Sequence, residues 1–277
     1  MKEFPEFVSA QHDSASMRLK RNLAGPSMVK LMADADRLLE RSDCVIIKDE
    51  RKIKVGRIPL EWDGNKLVVY IKRYNAFSLR YRLQSIFVCS GAENSLRGAA
   101  ILSAVGIATA PPVAAVEHRA GGMLFKSFYV SEEIKEGKTA DAYWKEKIGL
   151  LRGRPGARHR RRFLRDLAGL FSSLHDHNIY HNDLKDANIV IGPEESFSLL
   201  DLEGVRRDAR LSRSRRIKNL VQLNRTLGKY LKRSERWYFL TCYLKLAGLD
   251  RRATKRWAKD LHEQSVRLDK IKKAQSA

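Results

Sequence analysis

The hydrophobic pattern changes period once, near Thr139, and that change confines the chain to a two-part α+β architecture. Before it, residues 44–48, 53–58 and 67–73 are rich in Val and Ile and are separated by charged turns or by Asp63-Gly64-Asn65. Each is expected to be a strand. A further strand pair, 113–117 and 123–131, turns at Gly121-Gly122. After Thr139 the apolar residues recur at helical spacing, most clearly over 158–176, where Phe163, Leu164, Leu167, Leu170, Phe171 and Leu174 share one face. Asn178, a residue that tolerates left-handed backbone, closes that helix. Further helices are expected over 214–231, 235–247 and 253–273.

Ahead of the first strand, Met28, Leu31, Met32, Ala35, Leu38 and Leu39 predict a packing helix through about Arg41, with Ser27 as its N-cap. A second helix is expected over 92–105. The resulting division is a helical N-terminal extension over 1–42, a strand-rich lobe over 43–131, and a helical lobe with basic C-terminal helices over 132–277. A cleft between the lobes is expected, and no repeat is visible.

The 277 residues carry a formal charge of +22, which draws a chain toward anionic partners such as phosphate-rich lipid surfaces or nucleic acid. Zinc-finger spacing, arginine-glycine repeats and an aromatic ribonucleoprotein motif are all missing, so no dedicated nucleic-acid module is evident. Cys44, Cys89 and Cys242 are widely spaced and odd in number, which suggests neither a disulfide framework nor a metal site. A reducing compartment fits. Residues 1–28 lack the apolar run of a secretory signal, and the one long uncharged stretch, 98–116, is small-residue-rich and broken by Pro111-Pro112. No membrane span is expected.

Residues 179–188 read Ile-Tyr-His-Asn-Asp-Leu-Lys-Asp-Ala-Asn, and Leu199-Leu200-Asp201-Leu202-Glu203-Gly204 follow on a strand. This spacing matches H-x-D-L-x-x-x-N followed by a strand-end aspartate, the layout of a phosphoryl-transfer loop. Such transfer needs little covalent work from protein: a triphosphate held through metal, an oriented hydroxyl, and an acceptor for its proton. Asp183 suits the last task. Asn188 and Asp201 offer hard oxygens for Mg2+, His181 would brace the loop, and Lys185 joins them as a catalytic candidate. A solvated Asx-rich turn is the competing account, and the helix before the loop and the strands after it favour the motif.

Val69-Tyr70-Ile71-Lys72 fits V-x-I-K, whose lysine contacts the α and β phosphates of ATP. That lysine normally pairs with a helix glutamate, for which Glu93 is the one carboxylate near the helix start; Glu93 equally suits an N-terminal acid favoured by the dipole. Both roles stay open. Nothing over 43–58 matches a glycine-rich phosphate loop.

At these residues the chain resembles the lipopolysaccharide core kinases, the Kdo/WaaP group of the protein-kinase-like superfamily. The resemblance runs over roughly residues 40–240 and includes 69–74, 90–112 with its Gly106-Ile107-Ala108-Thr109-Ala110-Pro111 turn, 127–133, 174–204 and 216–227. It implies a bilobal protein-kinase-like fold and ATP-dependent phosphorylation of a Kdo or heptose hydroxyl in lipopolysaccharide core. It also implies a cytoplasmic enzyme, peripheral at the inner face of the bacterial inner membrane. Carried over by position, Lys72 would bind phosphate, Asp183 would be the base, Asn188 and Asp201 would bind Mg2+, and Glu132, Glu133 and Ile134 would form the adenine hinge.

Departures bear on the acceptor. Asn182 replaces the arginine that reads a phosphorylated activation loop, Leu202-Glu203 replaces Phe-Gly, and no A-P-E segment follows. A protein-substrate platform is hard to build there. An atypical RIO-like protein kinase, a small-molecule phosphotransferase and a basic pseudokinase scaffold remain as rivals. Arg158, Arg160, Arg161 and Arg162 are expected to crowd a helix start, where an anionic lipid would offset the dipole, unless they are bare surface. Trp257, Leu261, Leu268 and Ile271, set among Arg256, Lys259, Arg267, Lys270, Lys272 and Lys273, either lie on a membrane or pack on the second lobe, and Gln264 and Ser265 favour packing. Trp237, Tyr238, Phe239 and Leu240 are expected in the core.

Overall fold

A computed structural model describes residues 5–76, 78–249 and 251–276. The side chains of Lys272 and Lys273 lie outside the described set. The chain divides into two compact units: Met1–Ala104 with Thr109–Ile134, and Val105–Ala108 with Lys135–Ala277. The expected lobe boundary at 131/132 therefore falls three residues later along the chain.

The first unit is built on a seven-stranded antiparallel sheet of order β1-β2-β7-β8-β5-β4-β3. Its strands are β1 (Phe7–His12), β2 (Ala15–Lys20), β3 (Val45–Asp49), β4 (Ile53–Trp62), β5 (Asn65–Asn75), β7 (Pro112–Ala120) and β8 (Met123–Glu132). The short β6 (Ala108–Thr109) lies at the unit boundary. Asp63 and Gly64 both take positive φ at the β4–β5 turn, and Gly121 and Gly122 do so at the β7–β8 turn, as those residue types allow.

Residues 7–20 correct the expectation of a helical extension. They form a hairpin whose second strand pairs with β7. Ala15, Met17 and Leu19 alternate inward along β2, a period-two signal that the charged neighbours obscure. The packing helix is also broken: α1 (Pro26–Ala33) and α2 (Ala35–Leu38) meet at Asp34. Gly25, not Ser27, is the N-cap, with Pro26 at the first turn, and the Ser27 hydroxyl donates instead to Asp63 Oδ1 at 3.0 Å.

Strand alternation sorts the sheet residues between two cores. Val69, Ile71, Phe128 and Val130 meet Met28, Met32, Ala35 and Leu38 of α1 and α2 on one face. Met28 and Met32 are fully buried, each contributing about 1.5–3 kcal/mol by removal from water. On the other face, Tyr74, Ala115 and Tyr129 pack on Ala92 and Leu96 of α4 (Gly91–Ser103). Lys72, two residues from Tyr74, shares that second face. The short α3 (Leu79–Gln84) precedes α4 and begins an exposed apolar run: Leu79, Leu83, Ile86, Phe87 and Val88 all face solvent, Phe87 at 88% exposure.

The second unit is mostly helical: α5 (Ala140–Glu146), α6 (Gly153–Asp176), α7 (Arg213–Arg225), α8 (Arg233–Leu246) and α9 (Arg251–Ser276). Short strands carry its loops: β9 (Lys138–Thr139), β10 (Ile179–His181), β11 (Ile189–Ile191), β12 (Phe197–Leu199) and β13 (Val205–Arg207). Strand β10 pairs with β13, and β11 lies between β12 and β9. Asn178 closes α6 in the left-handed region at φ 59, as expected.

Two expectations change here, and a third is met. Helix α6 starts at Gly153, so Arg158, Arg160, Arg161 and Arg162 occupy its second and third turns, away from the dipole's positive end. Arg160 is spoken for, donating to Glu235 Oε1 at 3.0 Å and to the Leu151 carbonyl. Trp237 is 47% exposed and is not core, whereas Phe239 and Leu240 are buried. On α9, Trp257, Leu261 and Ser265 are buried, with Trp257 against Tyr243 and Ser265 Oγ accepting from Asn224, so this half of the helix packs on its own unit.

Candidate active site

The loop after β10 is braced by the side chain of His181. His181 Nδ1 accepts from the Asp183 amide at 3.2 Å, while Nε2 donates to the Leu200 carbonyl at 2.9 Å, tying the loop to the strand that ends in Asp201. One donor and one acceptor nitrogen specify the neutral ring. Burial holds its pKa below the ordinary value, and the Leu200 carbonyl and the Asp201 and Asp183 carboxylates oppose that shift. His181 therefore braces the loop without carrying charge, and both aspartates lie within its electrostatic reach.

Asp183 has two unlike oxygens. Its Oδ2 takes Lys185 Nζ at 2.6 Å and Asn188 Nδ2 at 3.2 Å. Its Oδ1 makes no hydrogen bond among the described residues, and the side chain is 41% exposed. The carboxylate is thus clamped on one oxygen and open on the other, the requirement for orienting a hydroxyl and taking its proton. Asn188 commits its amide nitrogen a second time, to the Asp183 carbonyl at 2.7 Å, which leaves its Oδ1 as an acceptor.

Asp201 follows β12 in left-handed backbone, φ 59 and ψ 57, a conformation Asp adopts more readily than most residues. Such a residue re-aims the chain sharply, and observed outliers of this type concentrate at functional positions. Three residues on, the Gly204 carbonyl accepts from the Asn182 amide at 3.2 Å, and a Cβ at Gly204 would stand 2.6 Å from Asn182 Cβ. Only glycine lets the two segments approach so closely.

Helix α7 supplies an anchor the sequence motif does not mention. Asn219 Nδ2 donates to the His181 carbonyl and Gln222 Nε2 to the Asn182 carbonyl, both at 2.6 Å. Gln222 Oε1 accepts from the Leu184 amide at 3.1 Å, and Thr226 Oγ1 from the Asp186 amide at 3.3 Å. The loop is therefore gripped on both sides of Asp183. Asn219 is itself held by His175 Nε2 at 3.3 Å, and His175 Nδ1 bonds the Tyr243 hydroxyl at 2.8 Å. All three are fully buried. Polar residues at helical spacing, 219, 222 and 226, were the available signal.

In the first unit, Lys72 lies in mid-strand on β5, between Val55 and Tyr129, with Nζ 4.8 Å from the Tyr74 ring centroid. The Tyr74 hydroxyl bonds Ser95 Oγ at 2.8 Å. Glu93 stands in the first turn of α4, where its amide donates to the N-cap Ser90 hydroxyl. Its carboxylate takes Arg18 Nε at 3.0 Å and Arg97 Nε at 3.4 Å. These contacts leave both of its expected roles open.

The expected hinge is heavily bonded. Glu132 pairs with Lys20 at 3.2 Å, and Glu133 takes both arms of Arg57 at 2.6 and 2.9 Å, which holds its carboxyl below the usual range. Their amides already donate to the Pro111 and Val68 carbonyls. Neither amide is left for an adenine edge, so Ile134 and the carbonyls are what this segment retains.

Among the described residues no group of three His, Cys, Asp or Glu side chains could hold a metal alone. A divalent ion here would need oxygens from its nucleotide, which suits Mg2+. Asn188 Oδ1 and the Asp201 carboxylate are hard oxygen donors of the right kind.

The model of the lipopolysaccharide kinase (Kdo/WaaP) family matches residues 72–243, more than half of the chain and the whole of the loop and its anchor. A solved structure of WaaP in complex with acyl carrier protein matches with a TM-score of 0.60 at 19% identity. That match covers 88% of this chain and 97% of the other. No curated protein matches. The likeness to WaaP shows the protein-kinase-like fold, with an antiparallel sheet in the first unit and helices in the second. With residues 179–204 and their anchor inside the matched span, the chain belongs to the lipopolysaccharide kinase (Kdo/WaaP) family.

Proposed function

We propose that the chain transfers the γ-phosphoryl group of ATP, with Mg2+, to a sugar hydroxyl, Kdo or heptose, of lipopolysaccharide inner core. Use of ATP follows from membership of a kinase family. The observation that carries the mechanism is the division of labour on Asp183, with Oδ2 clamped by Lys185 and Asn188 and Oδ1 open. In this reading Asp183 Oδ1 accepts the proton of the attacking hydroxyl, and Lys185 keeps the carboxylate oriented as that proton arrives.

Mg2+ would neutralise phosphate charge, held by Asn188 Oδ1 and Asp201. Lys72 would bind the α and β phosphates. His181, neutral and bonded at both nitrogens, keeps Asp183 and the Leu200–Asp201 segment in fixed relation, and α7 locks the loop's backbone. Positioning of this kind is the larger part of phosphoryl-transfer catalysis.

The acceptor is lipid-linked, and among the described residues no helix is long and apolar enough to cross a membrane. Peripheral contact with an anionic inner-membrane surface is supported by the exposed apolar run at 79–88 and by the net charge of +22. The test is incubation with labelled ATP and, in parallel, core glycolipid, bulk protein and aminoglycosides. Label is expected in the glycolipid alone. Asp183→Ala should cut transfer at least about 10²-fold while ATP binding survives. Label in protein or aminoglycoside, or undiminished turnover by the variant, would refute the reading.

A further inference from the structure

The richest unassigned cluster is cationic and adjoins Asp183. Strand β10 runs directly into Asn182 and Asp183, and its partner β13 sets Arg206 opposite Tyr180 and Arg207 opposite Ile179. Directly opposed residues of an antiparallel pair project to the same face, so Arg206 lies on the face of Tyr180 and Arg207 on the reverse. From α7, the Arg215 guanidinium stands 5.1 Å and the Lys218 ammonium 5.4 Å from the Tyr180 ring centroid.

Lys218 Nζ and the Tyr180 hydroxyl both donate to Asn182 Oδ1, each at 3.3 Å. Two cations therefore gather around one ring, three residues before the proposed base, and Arg206 stands across the strand pair from it. Arg215 is paired with Asp208. Arg206 and Lys218 are exposed, and among the described residues neither pairs with a carboxylate. Like charges brought together in this way repel one another, and a bound anion removes that cost.

Most exposed arginines are merely solvated. This cluster differs in that Arg215 and Lys218 are held on a buried aromatic ring and Lys218 is bonded to the residue next to Asp183.

We propose that Arg206 and Lys218, backed by Arg215, select an acceptor that carries an anionic group, a phosphate or a sugar carboxylate, beside the hydroxyl to be phosphorylated. The inference rests on the sugar-kinase reading above and names the chemical class its acceptor must have. Arg206 and Lys218 are specificity residues here. They bind the anion through charge-assisted hydrogen bonds and take no part in proton transfer.

Acceptor kinetics test this with purified core glycolipid, the same glycolipid stripped of phosphate, and the same glycolipid with its carboxyls reduced. The Arg206→Ala/Lys218→Ala double variant should raise the acceptor KM about 10- to 100-fold, with the KM for ATP and kcat near wild type. Arg206→Lys should recover part of the loss. Arg207→Ala, which removes one charge from the reverse face, should change nothing. Whichever stripped acceptor abolishes the difference between wild type and double variant identifies phosphate or carboxylate as the anion. An unchanged acceptor KM in the double variant would overturn the proposal, as would an equal effect from Arg207→Ala. If wild-type protein labels no glycolipid at all, the sugar-kinase reading fails first, and this inference falls with it.

Discussion

His175 lies at the centre of a buried chain from Tyr243 on α8, through Asn219 on α7, to the His181 carbonyl in the loop that carries Asp183. Its ring must be neutral to accept at Nδ1 while donating at Nε2. Burial pushes its pKa down to about 4, against 6.5 for the free ring. In the unfolded chain His175 binds a proton below about pH 6.5, whereas the folded ring binds one only below about 4. The unfolded state therefore holds more protons across this window, and stability falls as pH falls through it.

The slope is about 1.4 kcal/mol per pH unit at its steepest, giving a loss of about 2 kcal/mol at pH 5 relative to pH 8. Below about pH 4 no further loss comes from this group. Urea unfolding followed by tryptophan fluorescence, repeated from pH 8 to pH 4.5, measures the slope directly. His175→Gln removes the titrating group and should flatten the curve by about one proton's worth, at whatever absolute stability the variant retains. The slope that remains belongs in part to His181, whose pKa is depressed for the same reason and which contributes with the same sign. An identical slope in wild type and variant, or an imidazole titration of His175 near 6.5 in the folded protein, would refute the burial reasoning.

Two further outcomes probe the loop. Gln222→Ala removes the bond to the Asn182 carbonyl and the acceptor for the Leu184 amide, so it should destabilise the protein by about 1–3 kcal/mol and lower kcat more than it raises the KM for ATP; a variant with wild-type kcat would show that α7 does not position Asp183. Gly204→Ala places a methyl 2.6 Å from Asn182 Cβ and should cost about 1–3 kcal/mol together with most of the transfer activity. Wild-type melting and turnover for Gly204→Ala would show that the two segments separate freely.

The motif residues were legible because their spacing is chemical. His181, Asp183, Asn188 and Asp201 occupy one loop and the strand after it, so short hydrogen bonds such as those of Asp183 to Lys185 and Asn188 form between near neighbours in the chain. The β4–β5 and β7–β8 hairpins were legible for a similar reason, since Asp63-Gly64-Asn65 and Gly121-Gly122 carry the positive φ their turns need. The β1–β2 hairpin was missed because only Ala15, Met17 and Leu19 mark its buried side, and β2 owes its place to pairing with β7 about a hundred residues away. The start of α6 was missed because Gly153, Arg154 and Pro155 carry no apolar period, although proline is welcome in a first helical turn.

By itself the sequence determined the α+β division, the order of the main strands and helices, and the spacing of the loop residues, because periodicity and short-range spacing are properties of neighbouring residues. The tertiary structure alone decided that Glu93 meets Arg18. It alone decided that Asn219 and Gln222 reach the loop backbone, and that Arg206 stands opposite Tyr180. Each of these depends on the direction of a side chain relative to a segment distant in sequence or across a strand pair. Direction of that kind is set by packing and register, which no local pattern encodes.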